Sequence, residues 1–172
     1  MPSSMVKIVG GFIAGALAVL IFHQGMYVII QQLLSMKILG APPLGGTPWN
    51  FSADPGAYGL PRVLNQAFWG GLWGIVFAYM IDVLPGPNWL RGFVFGCVFP
   101  MLLGSWLLVP LIKANMFGIV KPPQVLFSGA LEKGFDIMRL RNGFLLNGVA
   151  FGIGLGLLFP FIANMMSGRN RH

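Results

Sequence analysis

The chain has 172 residues, 56% of them hydrophobic and 9% charged, where an average soluble domain carries about 25% charged residues. With a mean hydropathy of +0.76, this composition reads as an integral membrane protein forming a single membrane domain over residues 1–172. It excludes a disordered chain, a disulfide scaffold and a nucleic-acid-binding module, which need high polarity, many cysteines and a dense basic face respectively. The net charge of +7 is therefore a matter of membrane topology.

Taken in chain order, the apolar run from Ile8 to about Leu33 is far longer than the roughly 7 to 15 residues of a signal-peptide core. Ala14, Gly15 and Ala16 lie near its middle, where a cleavage site would not be, so the run reads as a retained first span. The connection that follows holds Pro42, Pro43, Gly45, Gly46, Pro48, Pro55, Gly56, Gly59 and Pro61. It cannot continue a helix, and Trp49, Phe51 and Tyr58 suit an ordered loop on the membrane interface. Spans two, three and four follow at about Leu64 to Leu84, Leu90 to Ile112 and Gly143 to Met166. Backbone polar groups in lipid must be bonded internally, so all four are helices. Pro85-Gly86-Pro87-Asn88 makes spans two and three antiparallel neighbours. Before span four, Phe127, Leu131, Phe135 and Met138 share one helical face against Glu132, Lys133, Asp136 and Arg139, which predicts an interfacial amphipathic helix over Val125 to Arg141.

Lys7, Arg91, Arg169 and Arg171 fall on one side of this topology, and Lys37, Arg62, Lys113, Lys121, Lys133, Arg139 and Arg141 on the other. The raw count favours cytoplasmic long loops. The denser charge of the short segments and the Pro/Gly/Trp character of the first loop favour cytoplasmic termini, which is the orientation expected here.

The two halves look like copies. Gly11-Phe12 and Gly15 align with Gly92-Phe93 and Gly96 at an offset of 81, and Leu64-Asn65, Trp69-Gly70, Gly74, Phe77 and Asp82 align with Leu146-Asn147, Phe151-Gly152, Gly156, Phe159 and Asn164 at an offset of 82. Each half has an even number of crossings, so a duplication over residues 8–84 and 89–166 would be a parallel repeat with an axis along the membrane normal. With 25 glycines in the chain, chance matching is the competing reading. Small residues supply the packing signal. Ala67, Gly70, Gly71, Gly74 and Ala78 stripe span two, Gly148, Gly152 and Gly156 stripe span four, and Gly11/Gly15 and Gly92/Gly96 do the same for the others, permitting the close backbone approach on which helix association in lipid depends. Pro100 and Pro160 inside spans three and four predict kinks; their counterparts are Val19 and Ala78.

Reactive groups are scarce: two histidines, one cysteine and four carboxylates. His23 lies in a span and His172 is the last residue, which argues against a bis-histidine haem site. No catalytic or phosphate-binding motif is present, so no catalytic residue, metal or cofactor is expected. Cys97 reads as a small buried hydrophobe. What remains is a polar layer toward the long-loop end: Gln31, Asn65, Gln66 and Asn147, with His23 and Gln24 one to two turns deeper. Such groups must face partners or water. They read either as interhelical hydrogen bonds, worth about 0.6 kcal/mol each, or as a neutral, amide-lined solute path. His23 itself is expected to be a packing contact holding one or two hydrogen bonds, with the Tyr27 hydroxyl one turn on as a partner. Asp82 is expected at headgroup level, paired with Arg91 across the turn.

Phe22-His23-Gln24-Gly25 and Ala67-Phe68-Trp69-Gly70-Gly71-Leu72-Trp73-Gly74 resemble a family of small, uncharacterised four-span inner-membrane proteins of proteobacteria. The resemblance covers roughly the first half of the chain and implies location and helix count, but no activity. The expectation is a multi-pass, non-enzymatic protein in contact with membrane lipid. It would serve as an accessory or structural subunit whose glycine faces pack on a larger membrane complex or on its own copies, with a small homo-oligomeric channel or facilitator for a neutral solute as the alternative.

Overall fold

The computed structural model describes residues 3–36, 47–53, 59–108 and 141–168, and among these all extended regular structure is helical. Four helices follow in order: α1 (Ser4–Ser35), α2 (Arg62–Met80), α3, which runs as Asn88–Gly96 and continues through Cys97–Leu108, and α4 (Arg141–Met166). By length and composition α1 and α4 can each cross a bilayer. The expected surface helix before span four, the greater part of the first loop with Tyr58, and the arginines after Gly168 lie outside the described residues.

Each helix end has a local cause. Ser3 caps α1, its hydroxyl accepting the Val6 N–H at 3.3 Å. Pro61 cannot extend α2 backwards, and the loop satisfies the first donors: Arg62 N–H donates to Ser52 O (3.1 Å) and Val63 N–H to Asn50 O (3.0 Å). At its far end α2 stops at Met80, four residues before the expected Leu84, because residues 81–84 already turn toward Pro85 and Gly86. Gly86 takes φ +90, which a side chain would resist. The shorter helix also changes an ion pair. Asp82 meets Lys7 at 3.8 Å and not Arg91, because the N-terminus of α1 lies beside the C-terminal end of α2; the Lys7 ammonium also sits 5.3 Å from the Tyr79 ring centre.

The glycines set how the helices cross. A Cβ on Gly11 would strike Gly74 O and Ala78, one on Gly15 would strike Gly70 O, and one on Gly74 would strike Gly11 O, so α1 and α2 touch backbone to backbone. In the second pair, a Cβ on Gly92 would strike Gly152 O, one on Gly96 Asn147 O, one on Gly152 Gly92 O and one on Gly156 Asn88 O. The crossings use the same residues of the first helix in each pair, 81 apart, but Gly152 occupies the place of Gly74, 78 residues on. Relative to the alignment at 82, α4 has therefore slid by about one turn along α3. Gly71 instead takes the ring of Phe12, and Gly148 the Sγ of Cys97, which is half-buried as a small apolar group.

α4 also closes on α1, where Phe22 lies against Gly154 and Met166 against Gly10. Between α2 and α3 the contact is aromatic: Trp73 and Phe77 meet Phe95 at 6.3 and 5.2 Å between ring centres, Phe95 stacks on Phe99 at 4.9 Å, and Phe77 reaches Phe159 of α4 at 6.0 Å. These edge-to-face and stacked pairs fill the bundle centre together with Ala14, Ala18, Ala78 and Leu155.

Three stretches, Ala18–His23 of α1, Cys97–Leu108 of α3 and Phe144–Gly152 of α4, wind as wider π-helix with hydrogen bonds spanning five residues. Pro100 lies in one of them, where its missing N–H removes a bond from the regular ladder. Pro160 sits in regular helix that continues to Met166. Outward, every helix presents large apolar side chains, among them Ile13 and Ile21, Phe68 and Val76, Val98 and Leu102, Leu157 and Phe161.

Gly15→Ala should force α1 from α2 and cost about 1–3 kcal/mol. Gly25→Ala, whose Cβ meets nothing within 4 Å, should be neutral or stabilise by up to about 1 kcal/mol. Thermal unfolding in detergent measures both; equal effects would mean the crossing is not tight.

Candidate functional site

The site begins with a backbone irregularity. Where α1 returns from the wide winding of Ala18–His23, the Gln24 N–H reaches back to Val19 O and Ile21 O and passes over the carbonyl between them. Leu20 O accepts the indole Nε1–H of Trp49 at 2.9 Å. The Trp49 N–H donates to Gln24 Oε1 at 2.9 Å, and Gln24 Nε2 donates to Gln66 Oε1 of α2 at 2.8 Å. Trp49 itself holds φ 44, a left-handed conformation uncommon for a bulky residue, and these two bonds compensate for it. Gln24 is 2% exposed, the one polar side chain in the buried class among the described residues. It fastens the loop to both helices of the first pair.

Next to this knot, between the two helix pairs, lies a cavity of about 300 Å³. α1 contributes Val19 and His23; α2 contributes Asn65, Gln66, Trp69, Gly70 and Trp73; α3 contributes Pro100 and Gly104; α4 contributes Asn147 and Phe151. All three wide-wound stretches border it, so the cavity sits where the helices depart from ideal geometry, as such bulges often do at functional sites. Trp73 packs against Gly104 and, with Phe95, closes the side toward the aromatic centre. Among the described residues the walls carry amides, one imidazole and aromatic faces, with no Asp, Glu, Lys or Arg.

The structure thus divides the expected polar layer. His23, Asn65, Gln66 and Asn147 converge on the cavity. Gln24 does not line it, because its side chain is used in the bonds to Trp49 and Gln66, and Gln31, seven residues along the same face, is not part of the wall. His23 departs from expectation as well: its Nδ1 is buried with no hydrogen-bond partner, so Tyr27 does not satisfy it.

Sequence reasoning missed the tryptophans of the wall, Gly104, and Trp49. One signal was there. Val19 and Pro100, and His23 and Gly104, are 81 residues apart, while Asn65 and Asn147, and Trp69 and Phe151, are 82 apart. The offsets of the internal alignment therefore pick out most of the wall. Among the described residues no group of three or more His, Cys, Asp or Glu comes together as metal ligands would. Compared with protein-family models, curated proteins and solved structures, the chain matches none.

Gln24→Leu would leave the Trp49 N–H and the Gln66 oxygen unpaired and should cost about 1–3 kcal/mol. Melting in detergent, with tryptophan fluorescence following Trp49, tests this; an unchanged melting temperature would remove Gln24 from the structural account.

Proposed function

We propose that this is a four-span bacterial inner-membrane protein, built as two tandem hairpins with termini in the cytoplasm, whose cavity between the hairpins binds or passes a small solute. The observation that carries the reading is that the wall draws residues from both helix pairs, several of them at sequence offsets of 81 and 82. Transporters built from tandem repeats hold their substrates between the two halves. The apolar side chains exposed on all four helices suit lipid contact, and the small size of the bundle suits a homo-oligomer.

The competing reading, an accessory subunit that presents glycine faces to a partner, loses its ground within the chain. Gly11, Gly15, Gly70, Gly74, Gly92, Gly96, Gly152 and Gly156 already meet one another or Asn147, Asn88 and Ala78, so those faces are spent. No catalytic step is part of the proposal: among the described residues the wall holds one imidazole with no nucleophile or carboxylate beside it.

Substituted cysteines test the cavity. In a Cys97→Ser background, Asn65→Cys and Asn147→Cys should react with a membrane-impermeant thiol reagent added to one side of sealed vesicles. Leu155→Cys, at a position with 0% exposure, should stay unlabelled. Asn147→Cys as inert as Leu155→Cys would overturn the reading.

A further inference from the structure

Resting on the reading of the cavity as a binding site, we infer its ligand class: a small, neutral, planar molecule with hydrogen-bonding groups along one edge, anchored by His23.

Charge excludes ions first. Among the described residues no acidic or basic side chain stands in the wall, so against these walls a charged solute would give up its water with no counter-charge in return. Shape comes next. About 300 Å³ is at the small end of ligand pockets, which run from about 300 to 1,000 Å³, and the wall offers the rings of Trp69, Trp73 and Phe151, surfaces on which a flat body stacks.

Polarity then gives the edge. Among the described residues no hydrogen bond engages the side-chain amides of Asn65 or Asn147, and each offers both a donor and an acceptor. His23 stands out. A buried imidazole nitrogen without a partner is costly to keep, and only one other buried side-chain nitrogen or oxygen among the described residues shares that condition, Arg91 Nε, at the other end of the bundle. His23 borders the cavity, and turning the ring about its Cβ–Cγ bond exchanges the buried edge with the opposite one, bringing Nδ1 to a ligand. Gly104 lies 81 residues from His23 and is covered by the Trp73 ring, so the second half has no imidazole to match the first. The cavity therefore has one strong polar anchor and not two, and a ligand has one orientation.

The test uses the full-length chain in lipid nanodiscs and three probes of similar size: nicotinamide, which is neutral, planar and edged with an amide; the 1-methylnicotinamide cation; and toluene. Equilibrium dialysis and saturation-transfer NMR should report saturable binding of nicotinamide, with the cation and toluene each weaker by about tenfold or more. His23→Phe, which keeps the ring and removes both nitrogens, should weaken nicotinamide by about tenfold, the scale of one lost hydrogen bond. Gly104→Leu should block all binding by driving the Trp73 ring, which packs against Gly104, into the cavity. If the cation or toluene binds as well as nicotinamide, or His23→Phe binds it unchanged, the ligand class or the anchor is wrong, while a Gly104→Leu block still upholds the cavity as a site. If no probe binds the wild-type chain, the inferred class falls; if Gly104→Leu leaves binding untouched, the cavity reading falls with it. The comparison of nicotinamide with its cation needs no variant, so a misfolded mutant cannot rescue the inference.

Discussion

Two helices in lipid gain nothing from hydrophobic transfer when they meet, because the tails they displace are as apolar as their own side chains. What holds them is the number of atoms brought into van der Waals contact, and that depends on how near the backbones come. Here Gly11 and Gly15 lie on Gly74 and Gly70, and Gly92 and Gly96 lie on Gly152 and Asn147, with no room for a methyl group between them. Both hairpins are fixed by this one constraint. Each becomes a stiff pair whose outer surface is apolar and whose inner surface must be matched to the other pair.

That match is incomplete, and the cavity follows from it. At the level of Phe77, Phe95 and Phe159 large rings span the distance between α2 and the second pair. One turn and more toward the long-loop end, α4 still reaches Gly70 with the Phe151 ring, but Pro100, Gly104 and Asn147 beside it do not reach as far. The wide winding of α1, α3 and α4 falls at this level. The first pair is then braced from outside by the Trp49 knot on Leu20 and Gln24. It secures the rim without entering the cavity, and because Gln66 belongs both to the knot and to the wall, the loop and the cavity are mechanically linked.

The helical character, the apolar runs and the glycine stripes were legible in the sequence because hydropathy and small-residue spacing are local properties of the chain. Asn65 and Asn147 were legible as a pair because both survive at one offset. The end of α2 at Met80 and the pairing of Asp82 with Lys7 were not, since each depends on which helix lies alongside. Gln24 and Gln31 share a face by periodicity, yet one is consumed by a loop tryptophan more than twenty residues away and the other stands outside the wall. Spacing assigns a face but not a depth or a partner. The missing hydrogen bond of His23 Nδ1 was beyond reach for the same reason: it depends on what packs beside the ring.

The central claim is that two glycine-locked hairpins enclose a polar cavity between them, and a crystal structure of the full-length chain grown from a lipidic mesophase tests it most directly. The account predicts Gly15 against Gly70 and Gly92 against Gly152 in backbone contact, and non-protein density bounded by His23, Asn65, Trp73 and Asn147. Helix pairs separated at those glycines, or Trp73 packed directly onto Asn147 with no space between, would contradict it.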